Sequence, residues 1–187
     1  MTRSTRTNTR TISNPIVGDR LTFIELSSET NDQRTVVEVE LQPGGSSALH
    51  YHTQVTETFE AVDGTLQIHR GKEKVYIESG QSATIEPGIV HGYANATEQE
   101  ITFRVTVTPG FRGFEQFLQI VYGLAEDGLT TASGMPKRLT HTGVLLDISD
   151  TNLPGPIRII EPLVKLAGLY ARWKGSDKKL FEQYCRL

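Results

Sequence analysis

Two rhythms of hydrophobic and polar residues divide this chain. From about residue 20 to 109, apolar side chains recur every second position in short runs. Thr35 to Leu41 places Val37, Val39 and Leu41 on one side and Val36, Glu38 and Glu40 on the other, as expected of a strand with one face buried. Ile101, Phe103, Val105 and Val107 repeat the pattern. Pro43-Gly44-Gly45, Arg70-Gly71, Ser79-Gly80 and Pro87-Gly88 separate the runs. Thr56–Val62 and Thr65–Arg70 flank Asp63-Gly64, a pair that predicts a hairpin turn. Many short strands at near-even spacing predict a β-sandwich or barrel.

After Pro109-Gly110 the period changes. Phe114, Phe117, Leu118, Val121 and Leu124 fall at helical spacing, with Gly128 as a stop. A second helix is expected near Lys137 to Ile148, and Pro154-Gly155-Pro156 marks a loop. A third helix is expected to start near Pro162, the proline lying in its first turn. Leu163, Leu166, Leu169, Tyr170 and Trp173 would form its apolar packing face and Gly175 its end. Ser176 is the expected cap of a short last helix carrying Leu180, Phe181 and Tyr184. The predicted organisation is a disordered tail over 1–15, a barrel over 16–109 and a helical extension over 110–187, packed on the barrel or at a dimer interface.

Composition adds exclusions. The 187 residues include 19 basic and 22 acidic side chains, a net charge of −3 that argues against nucleic acid or an anionic membrane as partner. The single cysteine, Cys185, excludes an internal disulfide and reads as a small packing residue. No apolar run approaches the ~18 residues of a membrane span. The acid-free, Arg- and Thr-rich start lacks the apolar stretch of a secretory signal, so a cytoplasmic location is expected.

The chemistry begins at His50-Tyr51-His52, two imidazoles on one face of an extended segment. Glu57 follows after a turn-sized gap and His91 after Pro87-Gly88. Three imidazoles and a carboxylate suit one divalent transition metal, whether Fe, Mn, Ni, Co, Cu or Zn. They leave positions open for a substrate, dioxygen or water.

The spacing is specific. Five residues separate Gly44 from His50, one separates His50 from His52, four lead to Glu57 and six to Gly64. Fifteen residues then precede Gly80, and Gly88 is followed after two residues by His91 and after three more by Asn95. In order and spacing this resembles the two motifs of the cupin superfamily, over residues 35 to 109. One position departs: the proline usual two places before the second-motif glycine is here Glu86, with Pro87 beside it. The segment from Thr108 to Phe117 is also similar to the strand-to-helix exit of bacterial single-domain cupins with helical C-termini.

The resemblance implies a mainly β fold, a double-stranded β-helix (the RmlC-like jelly roll), followed by a C-terminal helical extension. It implies His50, His52, Glu57 and His91 as metal ligands and a homodimer as the assembly. Alternation from those ligands predicts Ala48, Phe59, Ile68, Ile85, Tyr93, Phe103 and Val105 as pocket-lining residues. Ala61, Leu66, Ala83, Asn95 and Val107 are expected on the same face, and Gln54 at the entrance. Tyr93, the lumen hydroxyl, is the candidate catalytic or supporting group; His69 and Arg104 are expected to face outward and His141 to be incidental. A mostly apolar lumen suits a small, partly apolar organic ligand. Three functions compete: a metal-dependent dioxygenase, which is favoured; a non-redox metal-dependent isomerase, epimerase or lyase; and a non-enzymatic ligand-binding barrel.

Overall fold

The computed structural model describes residues 10–155 and 157–187. Among the described residues nine strands come first: β1 (Thr11–Asn14), β2 (Asp19–Glu25), β3 (Thr35–Leu41), β4 (Thr56–Asp63), β5 (Thr65–Arg70), β6 (Glu73–Glu78), β7 (Ser82–Ile85), β8 (His91–Ala94) and β9 (Ile101–Thr108). Four helices follow: α1 (Arg112–Glu126), α2 (Leu139–Ile148), α3 (Ile157–Trp173) and α4 (Ser176–Tyr184). The strands form an antiparallel jelly roll, with a six-stranded sheet in the order β1-β2-β3-β9-β4-β7 and a three-stranded sheet in the order β6-β5-β8. Alternation does what the sequence pattern requires. In β3 every second residue, Thr35, Val37, Val39 and Leu41, is buried, and in β9 Ile101, Phe103, Val105 and Val107 are. These side chains meet Phe59, Leu66, Ile68 and Ile85 from the other strands in one core. Closing the inner faces against each other is how such a sheet pair removes its apolar side from water.

Two expectations about the strand half need correction. Asp63-Gly64 does not close a hairpin. β4 pairs with β7 and β9, whereas β5 pairs with β6 and β8, so this turn carries the chain from one sheet to the other. Gly64 has φ +84°, and a Cβ there would meet Ile101 Cγ2 at 2.6 Å, so a corner this tight against β9 needs glycine. The expected tail over 1–15 lies, for residues 1–9, outside the described residues. Thr11–Asn14 is a strand held on β2, in register Thr11 with Thr22 through Asn14 with Asp19. Residues 11–14 are therefore structured, because the edge of β2 offers hydrogen bonds that they satisfy.

In the helical half, α3 begins at Ile157, ahead of Pro162, which lies inside the helix instead of in its first turn. The expected packing face is exposed: Leu163, Leu166, Leu169, Tyr170 and Trp173 all face solvent, Trp173 at 77%. The helix packs through its small side instead. Val164 and Ala171 are buried, and Gly168 meets Gly143 of α2 so closely that a Cβ on either would strike the other backbone. Ser176 does not cap α4. Gly175 occupies that position in the left-handed conformation, and the Ser176 hydroxyl donates to the Ala171 carbonyl at 2.9 Å. Among the described residues no helix is long and apolar enough to cross a membrane.

The extension is tied to the barrel at its two ends. At the near end the Glu115 carboxylate on α1 accepts from the Ser27 amide at 2.6 Å and the Thr35 hydroxyl at 2.8 Å. Gly113, at the start of α1, lies against the carbonyl of Ile148 at the end of α2, and a methyl group there would run into that oxygen. Gly113→Ala should therefore lower unfolding stability by about 1–3 kcal/mol, read by urea denaturation. An unchanged midpoint would show that α1 and α2 are not seated as described.

Candidate metal centre

The metal-ligand set is assembled by one strip of backbone pairing. Residues 44–50 run antiparallel to β8 and extend the smaller sheet. Gly44 N–H donates to Asn95, Ser47 to Tyr93 and His50 to His91, and the His91 amide returns a bond to the His50 carbonyl at 2.8 Å. His50 and His91 are thus directly opposite, with ring centroids 4.4 Å apart. His52 follows two residues on, and Glu57 reaches in from β4. The candidate ligand atoms of His50, His52, Glu57 and His91 all lie within 4.8 Å of one another.

The hydrogen bonds behind these rings suit a cation. Each imidazole faces a backbone carbonyl with Nδ1: His50 with Ala48 at 2.9 Å, His52 with Asp150 at 3.0 Å and His91 with Ile89 at 2.9 Å. A proton held there leaves the Nε2 lone pairs directed at the cluster. His52 Nε2 is buried with no hydrogen-bond partner, its separation from Glu57 Oε1 being 3.5 Å. His91 Nε2 lies 2.8 Å from Glu57 Oε2, so a proton joins these two atoms where no cation separates them. Burial pushes the His50 imidazole down to about 4, against the pull of Glu57. At His52 burial acts downward too, but the Glu57 carboxylate outweighs it and the net shift is upward. Glu57 itself is buried, yet the adjoining His52 and His91 imidazoles hold its carboxyl well below the usual range. A buried carboxylate of this kind is costly unless paired, and a divalent ion among three imidazoles is a suitable partner.

A cavity of about 200 Å³ opens onto the cluster. Ala48, Phe59, Tyr93 and Val105 are on its wall, with Leu21, Val37 and Val39 beside them. Ile68, Ile85 and Phe103, expected there too, are instead fully packed in the barrel core, because the interior of so small a barrel is largely filled by side chains. Asn95 is buried but structural: its amide donates to the Leu41 and Gln99 carbonyls. Gln54 is exposed, and Arg104 pairs outward with Glu38. His69 and His141 take no part in the cluster.

The helical extension forms the rest of the site. Phe114, Phe117 and Leu118 of α1 and Leu145 and Leu146 of α2 line the cavity, so the aromatic stripe of α1 roofs the pocket as well as packing. The turn after α2 then reaches the ligands themselves. The Asp150 carbonyl orients His52, and its carboxylate accepts from the amides of Thr53 and Gln54 at 2.8 and 2.7 Å. Asn152 bridges Tyr51 through paired backbone bonds. Asp150 has φ +50°, a conformation Asp tolerates better than most residues. Sequence reading missed Asp150; an Asp-Thr-Asn turn after a helix was the available signal. Asp150→Ala should weaken metal binding roughly tenfold, measured by competition with a chelator; an unchanged affinity would show that the His52-to-Gln54 segment holds its place without that carboxylate.

Residues 37–108 match the family model for the Cupin domain, and no curated protein matches the chain. Among solved structures, a protein with a double-stranded β-helix domain from Klebsiella pneumoniae is 26% identical with a TM-score of 0.43, over 48% of this chain and 75% of that one. A predicted oxalate decarboxylase from Thermotoga maritima is 21% identical with a TM-score of 0.46, over 49% and 80%. A sugar phosphate isomerase of the cupin superfamily from Silicibacter pomeroyi is 26% identical with a TM-score of 0.44, over 50% and 60%. The matched segment contains Glu57 and His91 and the strands that pair behind them. Residues 37–108 of this chain thus form a cupin domain.

Proposed function

We propose that this cupin holds one divalent transition metal on His50, His52, Glu57 and His91 and acts on a small, mainly apolar organic molecule, with dioxygenase chemistry as the favoured reaction. The cavity carries this reading: His50, His52 and Glu57 of the candidate ligand set on one side, and Leu21, Val37, Val39, Phe59 and Val105 with the α1 and α2 side chains over most of the rest. Such walls favour an apolar body over a free sugar or a polyanion. A redox-active ion, when bound, would supply a meeting point for substrate and dioxygen and stabilise the charge that develops. The chain's own residues do the remaining work. Ala48, Ile89 and Asp150 fix the three ring orientations through their carbonyls. Phe114 and Leu145 lie over the cavity, which keeps bulk water off the cluster.

A non-redox isomerase or lyase is the second reading, favoured by one observation. Tyr93 and Tyr122 line the cavity, and both donate to Asp19, so proton-transfer groups are within reach of a bound molecule. Pairing of two copies is also proposed, and nucleic acid and membrane are not proposed as partners.

Anaerobic reconstitution with each metal in turn, followed by oxygen uptake on a panel of enols and thiols, tests the reading. Uptake with iron, manganese, nickel or copper and none with zinc is expected. Turnover that persists with zinc would select the second reading, and no turnover with any redox-active ion would sink the first. Light scattering giving the mass of one chain would refute the dimer.

A further inference from the structure

Asp19 opens β2, between Asn14 of β1 and Leu41 of β3, and is only 6% exposed. Its Oδ2 accepts from the Tyr122 hydroxyl of α1 at 2.6 Å and from the Tyr93 hydroxyl of β8 at 3.4 Å. Its Oδ1 is buried with no hydrogen-bond partner. The adjacent cation, Arg20, gives its guanidinium to Glu40. The groove on the outer side of Asp19 carries Arg20, Glu40, Glu100 and Glu126, a mainly acidic set that does not offset the charge. Burial accordingly raises the Asp19 carboxyl to about 6, against the two tyrosine hydrogen bonds.

The donor count decides what the tyrosines offer inward. A phenol has one proton, and both protons here are given to Asp19, so what remains toward the cavity is lone pairs. The 3.4 Å bond from Tyr93 is long, and that hydroxyl also lies beside the Tyr122 hydroxyl. Tyr93 is two residues from His91 on β8, a step of about 6.6 Å along a strand, so one aromatic ring or a short chain spans from the metal centre to it. We infer that Tyr93 and Tyr122, backed by Asp19, form a second ligand-contact point in the cavity, one that accepts hydrogen bonds from a hydroxyl or ammonium group on the end of the bound molecule remote from the metal. The negative carboxylate behind the tyrosines disfavours a second acid group at that end. A tie between β2 and α1 alone would be served by a neutral asparagine, which accepts as well and avoids a buried charge.

The inference rests on the reading of the cavity as the ligand site, so zinc content is measured first; failure to load zinc counts against that reading and not against this one. Zinc-loaded full-length protein is then titrated calorimetrically with benzoate, 4-hydroxybenzoate and 4-(aminomethyl)benzoate. At least one substituted probe should bind about tenfold tighter than benzoate, and Asp19→Asn and Tyr122→Phe should each bring that ratio to within about twofold. Loss confined to the aminomethyl probe in Asp19→Asn identifies an ammonium; loss for the hydroxyl probe as well identifies a hydroxyl. Ratios near one in the wild type, no binding of any probe, or ratios that survive both substitutions would overturn the inference. Stability gives an independent readout. A carboxyl raised by folding stabilises below the unfolded value and loses that contribution as pH rises through about 6. Asp19→Asn should therefore melt no lower than wild type at pH 8, where a purely structural Asp19 would make it melt lower.

Discussion

The site depends on how three imidazole rings are held. In each, Nδ1 faces a backbone carbonyl, of Ala48, Ile89 or Asp150, and Nε2 is left for the cluster. Two of those carbonyls lie two residues before the ring they orient, so the local turn of the backbone supplies them. The third does not. Asp150 is 98 residues from His52, and it arrives only because α1 and α2 pack over the barrel. The helical extension is therefore part of the candidate metal centre, and what places α2 also places the His52 imidazole.

This gives the extension two functions from one packing arrangement. Its near side shields the cavity with Phe114, Phe117 and Leu145, while the turn at its end fastens the segment from Tyr51 to Gln54 through Asp150 and Asn152. On the opposite wall Tyr122, also from α1, bonds to Asp19 of β2. The two polar features of the cavity thus each join a barrel residue to a residue of the extension. Removal of bulk water from between them strengthens both, since charge interactions grow as the local dielectric falls. The jelly roll alone hosts many chemistries, and the roof is what gives this cavity its own shape and polarity.

Much of the barrel was legible because a strand repeats every two residues and leaves its record in Val37-Val39-Leu41 and Phe103-Val105-Val107. The ligand set was legible because glycines and Asn95 at turns fix the distances between His50, Glu57 and His91. What escaped was contact between distant segments. Asp63-Gly64 reads as a hairpin locally, yet whether two strands pair depends on which sheet each joins. Asp150 acts through a backbone carbonyl and a carboxylate that meet His52, Thr53 and Gln54 nearly a hundred residues away, and neither contact leaves a periodic signal. Tyr122 stands next to the helical stripe of Phe114, Phe117, Leu118, Val121 and Leu124 without being one of its apolar members, and Asp19 is a carboxylate at an inward position of a strand that otherwise alternates through Leu21 and Phe23. The apolar stripe of α3 was visible in sequence, but its exposure follows from the small-residue contact of Gly168 with Gly143 on the other side of the helix.

The central claim is that the four ligand residues and the extension make one metal site per chain. Elemental analysis of tag-free protein, alongside a titration of the stripped protein with a divalent ion, tests it most directly. The account predicts saturation at one ion per chain, with His91→Ala abolishing uptake while the protein stays folded. Uptake that is absent in the wild type, or undiminished in His91→Ala, would contradict it.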